Sequence, residues 1–336
     1  MPGTTPNALY EGTFDLGPFA FEQGGQIDSL RIGYAAHGQL NAARNNLLLV
    51  LPGTANTRHS ADGYIGPGKA FDTDRYFVVA TDAIGAGTSS KPSDGLRSEF
   101  PRYTVRDMAR AQHAFMAAAF GVHQAAVVAG ASMGAFQALE WAIHYPDSLG
   151  SAILMVPAAR TGNIMRAVVR VALEAVRLDP AWNGGHYSQP PLHGLRAAGR
   201  LYFPWTVTDA YLESLSESAV EEELQGTVAR ATQWDAWDFI RRYEASAGHD
   251  IGIPFGGDMA QALSRIAARM LILPSSTDRL LPLDSARIIA SHVAHARYVE
   301  VPSDRGHLGW RAVEGSPATQ LITDEIRLFT TKDKPC

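Results

Sequence analysis

The sequence predicts an α/β protein with a mostly parallel central sheet and a helical segment inserted late in the chain. Three observations predict it. Short apolar runs alternate with amphipathic stretches, as strands and helices do in βαβ units. One run, Ala125 to Ala129, stops abruptly at Gly130-Ala131-Ser132-Met133-Gly134. From about Arg160 to Gly257 helical patterns dominate and no buried strand is evident. A chain of 336 residues that is 46% hydrophobic and 19% charged can bury a large core. The expected division is a core of residues 1–159 and 258–336 with a helical cap, or lid, over residues 160–257.

In chain order, Phe14 to Phe21 and Leu30 to Ala36 read as paired strands, with Gly24-Gly25-Gln26 as the turn between them. Asn46 to Leu51 is fully apolar and ends in Pro52-Gly53-Thr54-Ala55. A buried strand that stops there offers backbone N–H groups at its carboxyl end, where open α/β sheets bind ligands. Tyr76 to Ala80 is the next strand, running into a loop with Gly85-Ala86-Gly87. That loop lacks the third glycine and the helix start of a dinucleotide site, and no Gly-Lys-Ser/Thr follows. Thr104 caps a helix over 105–120, which leads through Gly121 to the strand before Ser132. A second helix runs from Met133 to the stop at Pro146.

Within the insertion, residues 179–187 read as a loop or turn, and 213–230 and 234–246 as helices. Its aromatic residues are expected to form its own core. Met270 to Pro274 is a strand that runs into a loop with Asp278, residues 283–294 are helical, and a strand over 297–301 precedes His307.

A serine between strand and helix in Gly-x-Ser-x-Gly fits a nucleophile elbow, with glycines where side chains would clash. The Met133 N–H, at a helix start, faces an oxyanion, and Thr54 or Ala55 supplies the second N–H. Asp278 and His307 both follow strand carboxyl ends, and the order Ser132, Asp278, His307 is that of an α/β-hydrolase triad. Asp284 and Asp304 compete for the acid role. The first falls inside a helix, and the second is too near His307 in sequence to orient its ring.

The net charge of −5 comes without a concentrated basic patch, which argues against nucleic-acid and membrane partners. Cys336 is the only cysteine, so neither an internal disulfide nor a cysteine-based zinc site can form, and no metal is expected. Residues 1–12 lack a basic stretch followed by an apolar one, and no apolar run reaches eighteen residues. The expected compartment is the cytoplasm.

The chain resembles the homoserine O-acetyltransferase family of the α/β-hydrolase superfamily over nearly its whole length. The resemblance is carried by residues 65–78, by Thr104-Val105-Arg106-Asp107-Met108-Ala109-Arg110-Ala111-Gln112, by residues 130–146, and by Asp179-Pro180 through Tyr187. It implies a catalytic Ser132, Asp278 and His307, no resident cofactor, an acyl-CoA such as acetyl-CoA as co-substrate of a transferase, and a homodimer through the cap. Two departures fall where that family holds its amino-acid acceptor. Leu173 stands at the position of a cap arginine, and Leu308 follows His307 where the family has an acidic residue. Arg166 and Arg170, one turn apart, are candidate replacements for the lost arginine, and Tyr187 is a further candidate substrate contact.

Loss of both charged anchors favours water as acceptor. The expectation is therefore hydrolysis of a small-molecule carboxylic ester or thioester through an acyl-enzyme, not homoserine acetylation. The alternative is acyl-CoA-dependent O-acyl transfer to a different alcohol. A relative that only binds ligand is disfavoured, because all three triad residue types are present.

Overall fold

The computed structural model describes residues 10–331, so Cys336 and the first nine residues lie outside it. Eight strands form one sheet: β1 (Tyr10–Asp15), β2 (Arg31–His37), β3 (Leu47–Leu51), β4 (Phe77–Thr81), β5 (Ala125–Ala131), β6 (Leu149–Met155), β7 (Arg269–Leu273) and β8 (Ala296–Tyr298). Their order is β1-β2-β4-β3-β5-β6-β7-β8. Strand β2 runs antiparallel to both its neighbours, and every pairing from β4 to β8 is parallel. Between β1 and β2 the chain folds a second small ribbon, Phe19–Ala20 with Gln26–Ile27, across the expected turn at Gly24 and Gly25.

Central strands are apolar throughout because both faces of the sheet are covered. All five residues of β3 are buried. Leu47, Leu49 and Leu51 join the core beneath α1 (Val105–Phe120) and α2 (Met133–His144), while Leu48 and Val50 join the core of the opposite face. Helix α1 starts where the sequence places it: the Thr104 hydroxyl accepts the Asp107 N–H at 3.0 Å, the Asp107 carboxylate accepts the Thr104 N–H, and Gly121 closes the helix in the left-handed region.

After β6 the chain leaves the sheet through α3 (Asn163–Arg177), α4 (Leu192–Thr206), α5 (Asp209–Ser214), α6 (Glu217–Ala231) and α7 (Ala236–Ala247), and returns through the short α8 (Met259–Leu263) to β7. Exit and return lie side by side. Arg160 and Asp250 form a β-bridge, the Thr161 N–H donates to His249 at 2.9 Å, and the Ile251 N–H to Ala159 at 3.1 Å. The expected single helix over 213–230 is two helices, because the Ser216 hydroxyl accepts the Ala219 N–H and starts α6 afresh. Helix α9 (Leu283–His292) and α10 (Pro317–Thr331) complete the fold. Strand β8 is shorter than the expected 297–301, although Val301 still bridges Ser275 and extends the β7–β8 pairing toward the site.

Candidate active site

Strand β5 delivers Ser132 at its carboxyl end, and the Ser132 N–H makes one last strand-like bond to the Met155 carbonyl at 3.0 Å. There the backbone reverses into α2 with φ 56° and ψ −121° at Ser132, a conformation that costs an L-residue about 1–3 kcal/mol. The flanking glycines have a steric cause. A Cβ on Gly130 would lie 2.3 Å from the Gly134 carbonyl carbon, and one on Gly134 would lie 2.1 Å from the Leu51 carbonyl oxygen. Strand β3, strand β5 and helix α2 thus meet where no side chain fits.

The Ser132 hydroxyl donates to His307 Nε2 at 2.9 Å, and His307 Nδ1 donates to Asp278 Oδ2 at 2.6 Å. All three side chains are buried. The second Asp278 oxygen accepts the Leu280 and Leu281 N–H groups, each at 2.9 Å, so the carboxylate cannot rotate away from the ring. Asp284 lies on α9 with its side chain 88% exposed, and the Asp304 carbonyl takes the Thr208 hydroxyl; neither carboxylate is bonded to His307. A serine hydroxyl held by an imidazole that is itself held by a carboxylate is an arrangement for nucleophilic acyl chemistry.

Beside the serine runs the loop after β3. A Cβ on Gly53 would sit 3.8 Å from Ser132 Cβ. The Thr54 and Ala55 N–H groups donate to no backbone carbonyl among the described residues, and Met133 opens α2, where the first N–H groups have no helical partner. All three are therefore free to face an oxyanion. The loop is held from the helical insertion: Arg242 of α7 donates to the Gly53 carbonyl at 3.0 Å and to the Asn56 carbonyl at 2.9 Å, and the Thr54 hydroxyl donates to Ser246 at 2.8 Å. Arg242 is fully buried over the Trp234 ring, and burial pulls its pKa below the usual arginine range. Sequence reasoning missed it, since nothing local to an arginine in a helix reports which loop it meets.

The Ser132 cavity, about 100 Å³, is lined by both halves of the molecule, including Thr54, Ala55, Tyr202, Trp234, His307 and Leu308. Arg166, Arg170 and Leu173 do not line it. They border a separate depression of about 620 Å³ with Glu140 and Arg241, and Arg166 donates to the Ala247 carbonyl. Tyr187 is occupied elsewhere: its hydroxyl donates to Asp235 at 2.6 Å and accepts the Trp237 N–H. The three expected substrate contacts are thus placed away from Ser132. Two arginines that the sequence did not single out, Arg230 and Arg311, line the Ser132 cavity instead.

Glycines 85 and 87 also find a use other than a nucleotide. A Cβ at either position would lie about 2 Å from the Tyr103 hydroxyl or the Asp82 carboxylate, so both serve internal packing. Among the described residues no cluster of three metal-ligating side chains occurs, and no helix is long and apolar enough to cross a membrane.

Residues 46–309 match the alpha/beta hydrolase fold family. Homoserine O-acetyltransferase of Thermobifida fusca is 34% identical over 87% of this chain and 87% of its own. Among solved structures, the acetyl esterase MekB superposes with a TM-score of 0.90 at 26% identity, covering 96% of this chain and 97% of its own. Homoserine O-acetyltransferase from Bacillus anthracis gives 0.85 at 27%, covering 95% and 97%. Relatives at 29–34% identity across most of the chain carry the transferase name, which overturns the expected ester hydrolysis. The physical reason lies in the site. Hydrolysis was expected from Leu173 and Leu308 as two lost acceptor anchors; Leu308 lines the Ser132 cavity, but Leu173 does not, and the cavity has cations of its own.

Proposed function

The chain belongs to the α/β-hydrolase fold family and, within it, to the homoserine O-acetyltransferase family, and from this membership and the site geometry we propose that it carries an acetyl group from acetyl-CoA through Ser132 to the hydroxyl of homoserine. The observation that carries the reading is the 34% identity along 87% of the chain, joined to a Ser–His–Asp relay at hydrogen-bonding distances.

In the acylation step the Ser132 oxygen attacks the thioester carbonyl carbon while His307 Nε2 takes the hydroxyl proton. The imidazolium so formed is stabilised by Asp278, whose position is fixed by the Leu280 and Leu281 N–H groups. The Met133 N–H and the Thr54 or Ala55 N–H receive the oxyanion. The carbon–sulfur bond then breaks, His307 returns the proton to the thiolate, and CoA leaves with its thiol restored. In the second half the acceptor hydroxyl attacks the acyl-Ser132 carbonyl and gives its proton to His307. Collapse frees the O-acyl product and returns the proton to Ser132.

The test is CoA thiol release from acetyl-CoA, with and without homoserine, in the wild-type protein and Ser132→Ala. Homoserine-dependent release, with O-acetylhomoserine formed and both lost in the variant, is expected. Release that ignores homoserine, or that survives in Ser132→Ala, overturns the proposal.

A further inference from the structure

The cavity that reaches Ser132 is unbalanced in charge. Arg230, at the end of α6, and Arg311, four residues after His307, both line it, and none of its lining residues is Asp or Glu. Among the described residues neither guanidinium meets a carboxylate or a hydrogen-bond acceptor. Arg311 is half-buried; burial first, then Arg230 and Arg305 beside it, hold its pKa below the usual range. The carboxylate that acts on it, Glu223, already bonds Arg305 at 3.3 Å and the Tyr211 hydroxyl at 2.5 Å. Two half-buried cations kept together without a counter-ion repel each other, and an anionic ligand would relieve that cost. A cavity of about 100 Å³ suits a molecule of amino-acid size.

We propose that Arg230 and Arg311 grip the carboxylate of the acceptor, so that this enzyme selects short ω-hydroxy acids by their carboxylate and makes no demand for an α-ammonium. The inference rests on acyl transfer from Ser132 and deepens it. A guanidinium offers a planar fork to a carboxylate. An α-ammonium, by contrast, finds no ion-pair partner in the cavity wall, where Leu308 stands directly after His307. The acceptor is thereby held by the end remote from its reacting hydroxyl. Removal of the α-amino group leaves that hold intact, and removal of the carboxylate destroys it.

The experiment compares three acceptors with acetyl-CoA as donor: homoserine, 4-hydroxybutanoate, which lacks the amino group, and 3-aminopropan-1-ol, which lacks the carboxylate. In the wild type 4-hydroxybutanoate is expected to match homoserine within about threefold in kcat/KM, with 3-aminopropan-1-ol at least about a hundredfold worse. Arg311→Met and Arg230→Met should each raise KM for the two carboxylates about tenfold or more, leave KM for acetyl-CoA unchanged, and bring the three acceptors closer together. Arg311→Lys should recover part of the loss. Preference for 3-aminopropan-1-ol over 4-hydroxybutanoate overturns the proposal. So does an effect confined to KM for acetyl-CoA, which would assign the arginines to the donor's phosphates.

If the wild type transfers acetyl to no acceptor, the reading of the reaction fails on its own, and the arginines are tested directly. 4-Hydroxybutanoate should then slow labelling of Ser132 by an organophosphonate in the wild type but not in Arg311→Met. Equal protection in both proteins overturns the assignment. Circular dichroism and Tm establish that each variant is folded.

Discussion

Replacing Arg242 by Met should impair catalysis far more than it impairs the fold. The side chain gives two charge-assisted bonds, at 3.0 and 2.9 Å, to the carbonyls of Gly53 and Asn56 on either side of the Thr54 and Ala55 N–H groups. Bonds of that kind contribute about 1.5–3 kcal/mol each, and the stack on Trp234, 4.4 Å from the ring centroid, adds about 1–2 kcal/mol. Against this stands the cost of burying a guanidinium that no carboxylate pairs among the described residues, which methionine does not incur and which offsets much of the gain. A net loss of about 1–2 kcal/mol, or a few degrees in Tm, remains.

The catalytic effect has no such offset. Freed carbonyls let the loop drift, and a misplaced oxyanion donor costs about a hundredfold or more in kcat. The assay is the pre-steady-state burst of p-nitrophenol from p-nitrophenyl acetate, which isolates acylation of Ser132, read beside a thermal melt. The expected result is a burst rate about a hundredfold lower with Tm down by only a few degrees and KM for the acceptor little changed. Arg242→Lys should fall in between, since an ammonium can still donate to a carbonyl but is more strongly hydrated and cannot lie flat on the Trp234 ring as the guanidinium does. An unchanged burst rate, or a collapse of the fold with normal activity in the folded remainder, refutes the reasoning.

Three further outcomes follow from the same geometry. Ser132→Gly should abolish activity and organophosphonate labelling yet raise stability by about 1 kcal/mol, because glycine tolerates the backbone at φ 56° while adding some unfolded-state entropy; a lower Tm counts against stored strain at the elbow. Gly134→Ala should lower stability by about 1–3 kcal/mol or more, since its Cβ meets the Leu51 carbonyl at 2.1 Å, and a melt within 1 °C of wild type would contradict that contact. Asp238 is buried, which pushes its pKa to about 6 despite bonds from the Ser93 N–H and hydroxyl at 2.9 and 2.6 Å. The folded state thus binds this proton more tightly than the unfolded chain, and stability is lost as pH rises from about 4 to 6. Asp238→Asn should match wild type near pH 4 and exceed it by about 2–3 kcal/mol at pH 7.5, and denaturant melts that show the same gap at both pH values would refute the shift.

What the sequence made legible is what local rules govern. Ser132 announces itself because an elbow needs small residues on both sides of a strand–helix junction, and Asp278 and His307 follow from where apolar runs stop. The loop at Thr54 and Ala55 was readable for the same reason. The acceptor side was not. Arg166, Arg170 and Tyr187 sit on helices and turns whose facing is set by how the insertion docks, and docking is decided by distant pairs such as Thr54 with Ser246 and Ser93 with Asp238. One error had a local signal: Ser216-Glu217-Ser218-Ala219 is a helix start, so the break between α5 and α6 could have been read. The misjudged reaction traces to the same gap, since a substitution at Leu173 matters to the acceptor only if that side chain reaches it.

The bridge between Arg160 and Asp250 bears on how such an enzyme changes its substrate. A departing and a returning strand held side by side make the segment between them a closed loop of roughly ninety residues, and doubling its length would add only about 0.6 kcal/mol of closure entropy. Evolution can therefore exchange, lengthen or rebuild that segment at small thermodynamic expense, while the residues that perform bond making remain on the sheet. The exchange is constrained at few points, and Arg242 is one of them: a transplanted segment must bring its own grip on the Gly53 and Asn56 carbonyls, or it will arrive with a new pocket and an idle nucleophile.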